Sequence, residues 1–286
     1  MRYERPRTIE DATALMAGEG AQAFVLAGGT DLLVRMQNDA FEAGLIVDIK
    51  AIAGMDAIAE TDDGFVIGAA VPSAALSEHA ALVSAWPGVV EAASLIGSTQ
   101  IQSRCTIVGN LCNASPAADS VPALVAADAI VRVAGPDGPR EVAILDVPIG
   151  PGRTSLAKGE IIEAVVLPKR EARSGDAYLR FIPRTEMDIA VVGVGVNLSV
   201  DEGGTVLSAR VALGAVGPKV MLVSSAADAL VGSKLEDSAL EALTFACSEA
   251  STPIDDKRGT VAFRKQVAGV LARRAAQTAY DRAGAN

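Results

Sequence analysis

Apolar and polar residues alternate along the chain in a pattern that predicts a mixture of helices and strands. At the start, Thr8-Ile9-Glu10-Asp11 has the form of a helix N-cap with acidic residues in the first turn. Apolar residues then recur at helical spacing until Gly18 and Gly20, where we expect the helix to end. Short apolar runs at residues 24–26 and 45–49 predict two buried strands. The first of these strands leads through a tight glycine turn into a second helical pattern.

The middle of the chain contains a long stretch without a clear period. Residues 65–71 predict another strand, and residues 73–96 predict two or three helical turns broken at Pro87. Residues 99–122 show neither the helical nor the strand period and are rich in Ser, Asn, Cys, Gly and Pro. A segment of this length without periodicity is usually functional or disordered, and its small, weakly charged residues favour a functional one.

The last part of the chain predicts strands and then helices. The expected strands are residues 130–133, 141–144, 161–167, 178–181, 191–198, 206–213 and 220–223. The first two would form a hairpin, and residues 225–281 predict mostly helix. The charged stretch of residues 169–176 predicts a linker, so we place a domain boundary near residue 170. Strands followed by helices are typical of an α+β domain.

The composition excludes several classes of partner and site. The 286 residues include 25 Lys and Arg against 35 Asp and Glu, a net charge of −10, which argues against a nucleic acid or an anionic membrane as partner. With three Cys and one His, neither an iron–sulfur cluster nor a zinc site is expected from this chain alone. The start shows no secretory pattern, and no apolar run is long enough to cross a membrane, so we expect a cytoplasmic protein.

Isolated reactive side chains favour ordinary structural roles. His79 lies in an Ala-rich helical stretch and is expected at the surface. Cys105 and Cys112 are expected to be buried as small apolar residues.

One candidate binding feature is the first segment, residues 26–32, with the sequence Leu-Ala-Gly-Gly-Thr-Asp-Leu. Glycines at a turn between strand and helix let backbone N–H groups approach an anion, and the positive end of a following helix favours negative charge. Phosphate is the anion that such a turn is expected to bind. A plain turn with Thr30 as helix N-cap would give the same residues, so this reading stays open.

The second segment, residues 106–122, has small hydrogen-bonding residues and one acid, Asp119. No strong base or nucleophile accompanies them, which disfavours acid–base and covalent catalysis. Hydroxyl, amide and backbone N–H groups instead suit the phosphates and ribose of a polar cofactor, with Asp119 accepting from hydroxyl or ring N–H groups. A long surface loop would account for these residues equally well.

Together the two segments resemble a known family. Ala27-Gly28-Gly29-Thr30-Asp31-Leu32, then Ile101 through Asn110 running on to Ala114-Ser115-Pro116-Ala117-Ala118-Asp119, resemble the FAD-binding medium subunit of molybdenum hydroxylases. This family includes the flavin subunits of xanthine dehydrogenase and aerobic carbon monoxide dehydrogenase. A third stretch, residues 180–193, looks like the family's opening of the C-terminal domain.

The resemblance implies an α+β fold. Residues 1–170 would form a two-subdomain FAD-binding domain of the vanillyl-alcohol-oxidase (PCMH) type, with subdomains at about 1–55 and 56–170. Residues 171–286 would form a C-terminal α+β domain with an antiparallel sheet plus helices.

The resemblance also implies a set of FAD-binding residues and no catalytic side chain. The set is Val25, Leu26, Ala27, Gly28, Gly29, Thr30, Asp31, Leu32, Thr106, Gly109, Asn110, Ser115, Asp119, Ile162 and Arg180. Val108 departs from the family, which commonly has glycine there, and a β-branched residue would be strained if that position needed a positive φ.

The implied function is electron transfer. Electrons from the [2Fe-2S] clusters of a small partner subunit, in a complex with a molybdopterin-binding large subunit, would pass through FAD to NAD, a quinone or oxygen. Two alternatives stay open: a self-contained flavin oxidase of the same fold, and a non-enzymatic interaction protein whose glycine segments are mere turns.

Two substitutions express these expectations. Asp119→Ala should weaken FAD retention and leave the fold intact, because a ligand-binding loop carboxylate contributes little to a core. Gly28→Val should abolish binding, because its Cβ would intrude where the backbone approaches phosphate.

Overall fold

The computed structural model of this chain describes residues 1–19 and 22–285. Its α-helices are α1 (Ile9–Glu19), α2 (Leu32–Gln37), α3 (Ser73–Glu78), α4 (Ala80–Ala85), α5 (Pro87–Ala93), α6 (Thr99–Gln102), α7 (Ile107–Cys112), α8 (Ser120–Ala126), α9 (Ser224–Asp228), α10 (Asp237–Ala250) and α11 (Val261–Ala285). Its strands are β1 (Arg2–Glu4), β2 (Ala23–Leu26), β3 (Leu45–Asp48), β4 (Ile58–Thr61), β5 (Gly64–Gly68), β6 (Ile130–Ala134), β7 (Arg140–Ala143), β8 (Pro148–Gly150), β9 (Arg153–Thr154), β10 (Ile161–Pro168), β11 (Ser174–Phe181), β12 (Val192–Val200), β13 (Val206–Gly214) and β14 (Met221–Leu222).

The first sheet is small and parallel, with strand order β1-β3-β2. Helix α1 leads into it, and the Thr8 hydroxyl accepts a hydrogen bond from the Asp11 N–H at 3.2 Å, which confirms the predicted cap. The helix continues through Gly18, so the expected end there is wrong, and Gly20 lies outside the described residues. Because the strands are parallel, the turns that follow β2 and β3 lie at the same edge of the sheet.

The second sheet has five antiparallel strands in the order β4-β5-β10-β6-β7. Strand β10, at its centre, is buried along most of its length because both neighbouring strands and the surrounding helices cover it. Buried side chains from the first two sheets and from helices α1, α3, α4, α5, α7 and α8 form one hydrophobic core. The helical region breaks at Trp86, and Pro87 begins α5, as the sequence predicts.

The third sheet is antiparallel with the order β11-β12-β13-β14 and has its own hydrophobic core. Helix α11 packs on β11 and β12, and α10 packs on α11. Helix α8 also packs against β12 and β13. A Cβ at Gly195 in β12 would lie 2.5 Å from the Pro122 carbonyl oxygen, so only glycine lets the α8 backbone come this close.

Two expectations need correction. Residues 99–122 contain α6, α7 and the start of α8, and these helices are too short to show a helical period in the sequence. The expected linker is also shorter than predicted, because its last residues begin β11, where Asp176 is buried and pairs with Arg170 at 3.1 Å. The domain boundary near residue 170 stays a prediction.

Candidate functional site

The first segment forms a tight turn between β2 and α2. Gly29 has φ +80°, a left-handed backbone conformation that favours glycine. A Cβ at Gly28 would lie 2.0 Å from the carbonyl oxygen of Arg104, so the backbone of this turn packs directly on the residues that precede the second segment. Glycine at position 28 is therefore required by a contact between two parts of the protein itself.

The second segment is held by its own side chains. The Thr106 hydroxyl accepts a hydrogen bond from the Gly109 N–H at 2.9 Å and caps α7. The Asn110 side-chain oxygen accepts hydrogen bonds from the Ser120 N–H at 3.1 Å and from its hydroxyl at 2.7 Å. The contacts of Asn110 join α7 to the beginning of α8.

Val108 occupies the position where the family commonly has glycine. It lies inside α7, is buried, and has no positive φ. The backbone strain that a β-branched residue would suffer at a positive φ therefore does not arise.

A cavity of about 320 Å³ opens between the two segments. The predicted site residues that line it are Val25, Ala27, Gly28, Gly29, Thr30, Asp31, Leu32, Thr106, Gly109, Asn110 and Ile162. Leu26, Ser115, Asp119 and Arg180 are not part of its lining. Sequence reasoning missed Arg35, which places a cation at the cavity wall and lies one helical turn after Asp31.

Asp119 and Arg180 form a buried ion pair between the second segment and β11. The Arg180 Nη1 atom lies 2.8 Å from Asp119 Oδ2, and the Tyr178 hydroxyl donates to Asp119 Oδ1 at 3.3 Å. Burial raises the pKa of Asp119 and outweighs the opposing effects of Arg180 and Tyr178. Because Asp119 holds the guanidinium of Arg180, we now expect its removal to lower stability as well as FAD retention.

Arg180 retains one unused donor. Its Nε is buried and finds no hydrogen-bond partner among the described residues. Tyr178, which sequence reasoning missed, could have been found by strand periodicity, because residues two apart in β11 lie on the same face.

Ser115 lies at a second cavity, of about 420 Å³, between the second segment and the C-terminal part of the chain. Its lining includes Ser115, Pro116, Ile189, Pro253, Arg258 and Arg264. The second segment therefore runs from one cavity to the other.

The isolated reactive residues differ partly from expectation. Cys105 is buried as predicted, with its sulfur 3.4 Å from the Ser73 hydroxyl. Cys112 is exposed at the first cavity, so its expected burial is wrong. His79 is half-buried, and its Nδ1 accepts a hydrogen bond from the Leu82 N–H at 3.2 Å, which caps α4.

Residues 1–19 and 22–285 contain neither a metal-binding cluster of side chains nor a membrane-spanning helix. Within these ranges, no three His, Cys, Asp or Glu side chains come together as a group that could hold a metal ion. The same ranges contain no helix whose length and apolar character would allow it to cross a membrane.

Comparison with known proteins identifies two matching families. Residues 1–170 match the FAD binding domain in molybdopterin dehydrogenase, and residues 177–279 match the CO dehydrogenase flavoprotein C-terminal domain.

Individual relatives are similar over nearly the whole chain. The carbon monoxide dehydrogenase medium chain of Afipia carboxidovorans is 32% identical over 281 residues, which cover 98% of this chain and 97% of that protein. The xanthine dehydrogenase FAD-binding subunit of Escherichia coli is 30% identical over 284 residues, which cover 99% of this chain and 97% of that protein.

Among solved structures, reconstituted CO dehydrogenase from Oligotropha carboxidovorans superposes with a TM-score of 0.94 at 32% identity, covering 99% of this chain and 98% of that chain. The likeness confirms the predicted α+β fold, in which a FAD-binding part precedes an antiparallel sheet with helices.

Proposed function

The chain belongs to the family of FAD-binding subunits of molybdenum hydroxylases, and on that premise we propose that it holds FAD in the first cavity as an electron-transfer subunit. The observation that carries the proposal is the convergence of the two segments on one cavity. They are far apart in the sequence, and eleven of the fifteen predicted cofactor residues line the same space.

The chemistry of the lining fits a dinucleotide. Backbone groups of Gly28 and Gly29, together with the hydroxyl of Thr30, offer donors of the kind that bind phosphate oxygens. Arg35 adds a positive charge that offsets the charge of a diphosphate. The cavity volume of about 320 Å³ lies near the lower end of the range for small-molecule sites, so a dinucleotide would fill it and extend beyond it.

The predicted residues outside the lining complete the site in this proposal. Leu26 ends the strand that carries the first segment, and Ser115 lies at the far end of the second segment. Asp119 and Arg180 orient the cofactor as a pair, with the buried Arg180 Nε as the free donor.

The proposed reaction assigns the redox chemistry to FAD. Bound FAD would supply the redox chemistry between the [2Fe-2S] clusters of a small partner subunit and an acceptor, which would be NAD, a quinone or oxygen. The residues of this chain bind and orient the cofactor and exclude water. A molybdopterin-binding large subunit would complete the complex, and the three free cysteines support a cytoplasmic location.

A flavin titration of the purified chain tests the cofactor assignment. Absorbance and quenching of free-FAD fluorescence would follow binding, with FMN and ADP as comparison ligands. We expect saturable binding that prefers FAD over FMN, because both segments contribute to the first cavity. Absence of FAD binding by the chain, both alone and together with its partner subunits, would overturn the assignment.

A second experiment tests the proposed direction of electron flow. The purified complex would be reduced by its organic substrate, and bleaching of the flavin absorbance would be followed with and without each acceptor. We expect reoxidation by one acceptor class. A flavin that stays oxidised while the clusters are reduced would contradict the proposal.

A further inference from the structure

A network of charged and polar side chains ties the first segment to the strands beside it. The Lys50 ammonium lies 2.7 Å from Asp48 Oδ1 and donates to the Ala27 carbonyl oxygen at 3.1 Å. The Tyr3 hydroxyl donates to Asp48 Oδ2 at 2.5 Å. Tyr3 lies in β1, Asp48 ends β3, and Ala27 follows β2, so the network connects all three strands of the parallel sheet.

The buried member of this network is the aspartate. The Asp48 side chain is 5% exposed, whereas that of Lys50 is 30% exposed. Asp48 also accepts a hydrogen bond from the Lys50 backbone N–H at 3.0 Å, which fixes the turn that carries the lysine. The lysine side chain is thereby held in one direction, toward the first segment.

The contact with Ala27 has a consequence for the next N–H group. In a trans peptide the C=O and N–H bonds point in opposite directions. When Lys50 holds the Ala27 carbonyl, the Gly28 N–H of the same peptide is turned away from the lysine. Lys50 does not line the first cavity, whereas Ala27 and Gly28 do.

Two N–H groups of this turn, those of Gly28 and Gly29, have no acceptor in the part of the chain that the structure describes. Within residues 1–19 and 22–285, neither the Gly28 nor the Gly29 N–H donates to a turn carbonyl or a side chain. Backbone N–H groups in folded proteins nearly always have a partner, so a turn that keeps two of them unpaired beside a cavity is suited to an external acceptor.

We propose that Lys50 is a positioning residue for the diphosphate of the bound cofactor, acting through the Ala27 carbonyl. The inference deepens the proposed function and rests on it. Lys50 contacts the protein backbone at Ala27, and the Gly28 N–H is the group that would donate to the ligand. Its removal should therefore weaken ligands that carry a diphosphate and spare those that do not.

The test compares ADP with adenosine on Lys50→Met, which keeps the length of the side chain and removes its charge. Binding would be measured by competition with FAD fluorescence quenching. We expect affinity for FAD and ADP to fall about tenfold, as for loss of a charge-assisted hydrogen bond. Adenosine affinity should stay unchanged. Lys50→Arg, which keeps the charge and donors, should restore diphosphate binding.

The matched control is Lys257→Met, which makes the same change in net charge at an exposed residue far along the chain. It should bind all ligands as wild type does. Equal losses of ADP and adenosine affinity in Lys50→Met would show a merely structural role and overturn the inference. Wild-type affinity for ADP in that variant would overturn it as well.

A second variant covers the case in which Lys50→Met does not fold. Tyr3→Phe removes only the hydrogen bond to Asp48, at a residue whose ring is largely exposed. We expect a smaller loss of ADP affinity, about threefold, with adenosine unchanged; an unchanged ADP affinity would contradict the inference. Failure of wild type to bind FAD would overturn the proposed function and this inference together, whereas FAD binding that is insensitive to both substitutions overturns this inference alone.

Discussion

In the first segment the Gly28 and Gly29 N–H groups beside the cavity have no acceptor among the described residues, whereas in the second segment three polar side chains already have protein partners. Thr106 caps α7, Asn110 holds Ser120, and Asp119 holds Arg180. In the first segment, by contrast, the supporting contacts come from outside, through Lys50 and the backbone of Arg104.

The two segments therefore differ in role: the first offers groups that can bind a ligand, and the second offers contacts that stabilise the protein. Polar side chains look like ligand contacts in a sequence, yet those of the second segment mainly fix its own shape. The glycines of the first segment look like a simple turn, yet they keep donors free. Substitutions in the second segment should therefore affect stability first, and substitutions in the first segment should affect binding first.

The largest expected effect tests the second segment through Asp119→Ala. Removing the carboxylate leaves the Arg180 charge buried and unpaired, so the free energy of unfolding should fall by about 3–5 kcal/mol in urea denaturation. The control is Asp237→Ala, because Asp237 also pairs with an arginine, Arg273, at 2.6 Å but is exposed. Its loss should stay within about 1 kcal/mol. Equal losses in the two variants would contradict the supporting role of Asp119.

The next effect tests the first segment through Gly28→Val. Its Cβ would lie 2.0 Å from the Arg104 carbonyl oxygen, so the two segments must separate and FAD affinity should fall on the order of a hundredfold. This contact between backbones adds to the expected intrusion of the Cβ where the backbone would approach phosphate. Gly18→Val, where no atom lies within 4 Å of the added Cβ, should bind FAD normally. Normal flavin content in Gly28→Val would remove the turn from the site.

A smaller effect concerns the pKa values of two buried carboxylates, Asp48 and Asp119, which shift in opposite directions. Burial acts to raise the pKa of Asp48, but hydrogen bonds from Lys50 and Tyr3 outweigh it and lower that pKa. For Asp119 burial prevails, so its pKa is raised. NMR titration should show a pKa of Asp48 lower, and a pKa of Asp119 higher, than the ordinary value of an aspartate.

The two shifts give opposite contributions to stability. The contribution of Asp48 is complete above the pKa of an unfolded aspartate and is lost as pH falls through its lowered folded pKa. The contribution of Asp119 declines as pH rises from the unfolded pKa through its raised folded pKa. Denaturation of Asp48→Asn and Asp119→Asn against wild type across this range should show opposite slopes; slopes of the same sign would be inconsistent with this assignment.

The smallest effect concerns Ala114, which has φ +49° in the second segment. Glycine accepts this conformation without strain, so Ala114→Gly should raise the free energy of unfolding by about 0.5 kcal/mol. The same change at Ala14, exposed in α1, should lower it by about 0.5–1 kcal/mol. Thermal denaturation of both variants measures the difference, and a loss at both positions would show that Ala114 is not strained.

Much of the fold could be predicted from the sequence because long apolar runs identify buried strands. Residues 191–198 and 161–167 correspond to β12 and β10, and the strand, turn and helix around the first segment are confirmed. Helices α6 and α7 could not be predicted, because a helix of one or two turns has too few residues to show a period.

The site could be predicted only in part, because its residues are joined by contacts between distant parts of the chain. The approach of Gly28 to Arg104 and the pairing of Asp119 with Arg180 leave no local signal in the sequence. Val108 shows the reverse, because a departure from the family that suggests strain proves to be an ordinary helical residue.

The central position of β10 also governs how the chain acquires its structure. Its neighbours β5 and β6 precede it, and in the case of β5 helices α3 to α8 intervene. Such non-local pairing makes folding slow. During synthesis β5 and β6 cannot pair with β10 until its last residue, Pro168, has left the ribosome. Until then the strand edges that β10 will cover stay exposed and prone to aggregation.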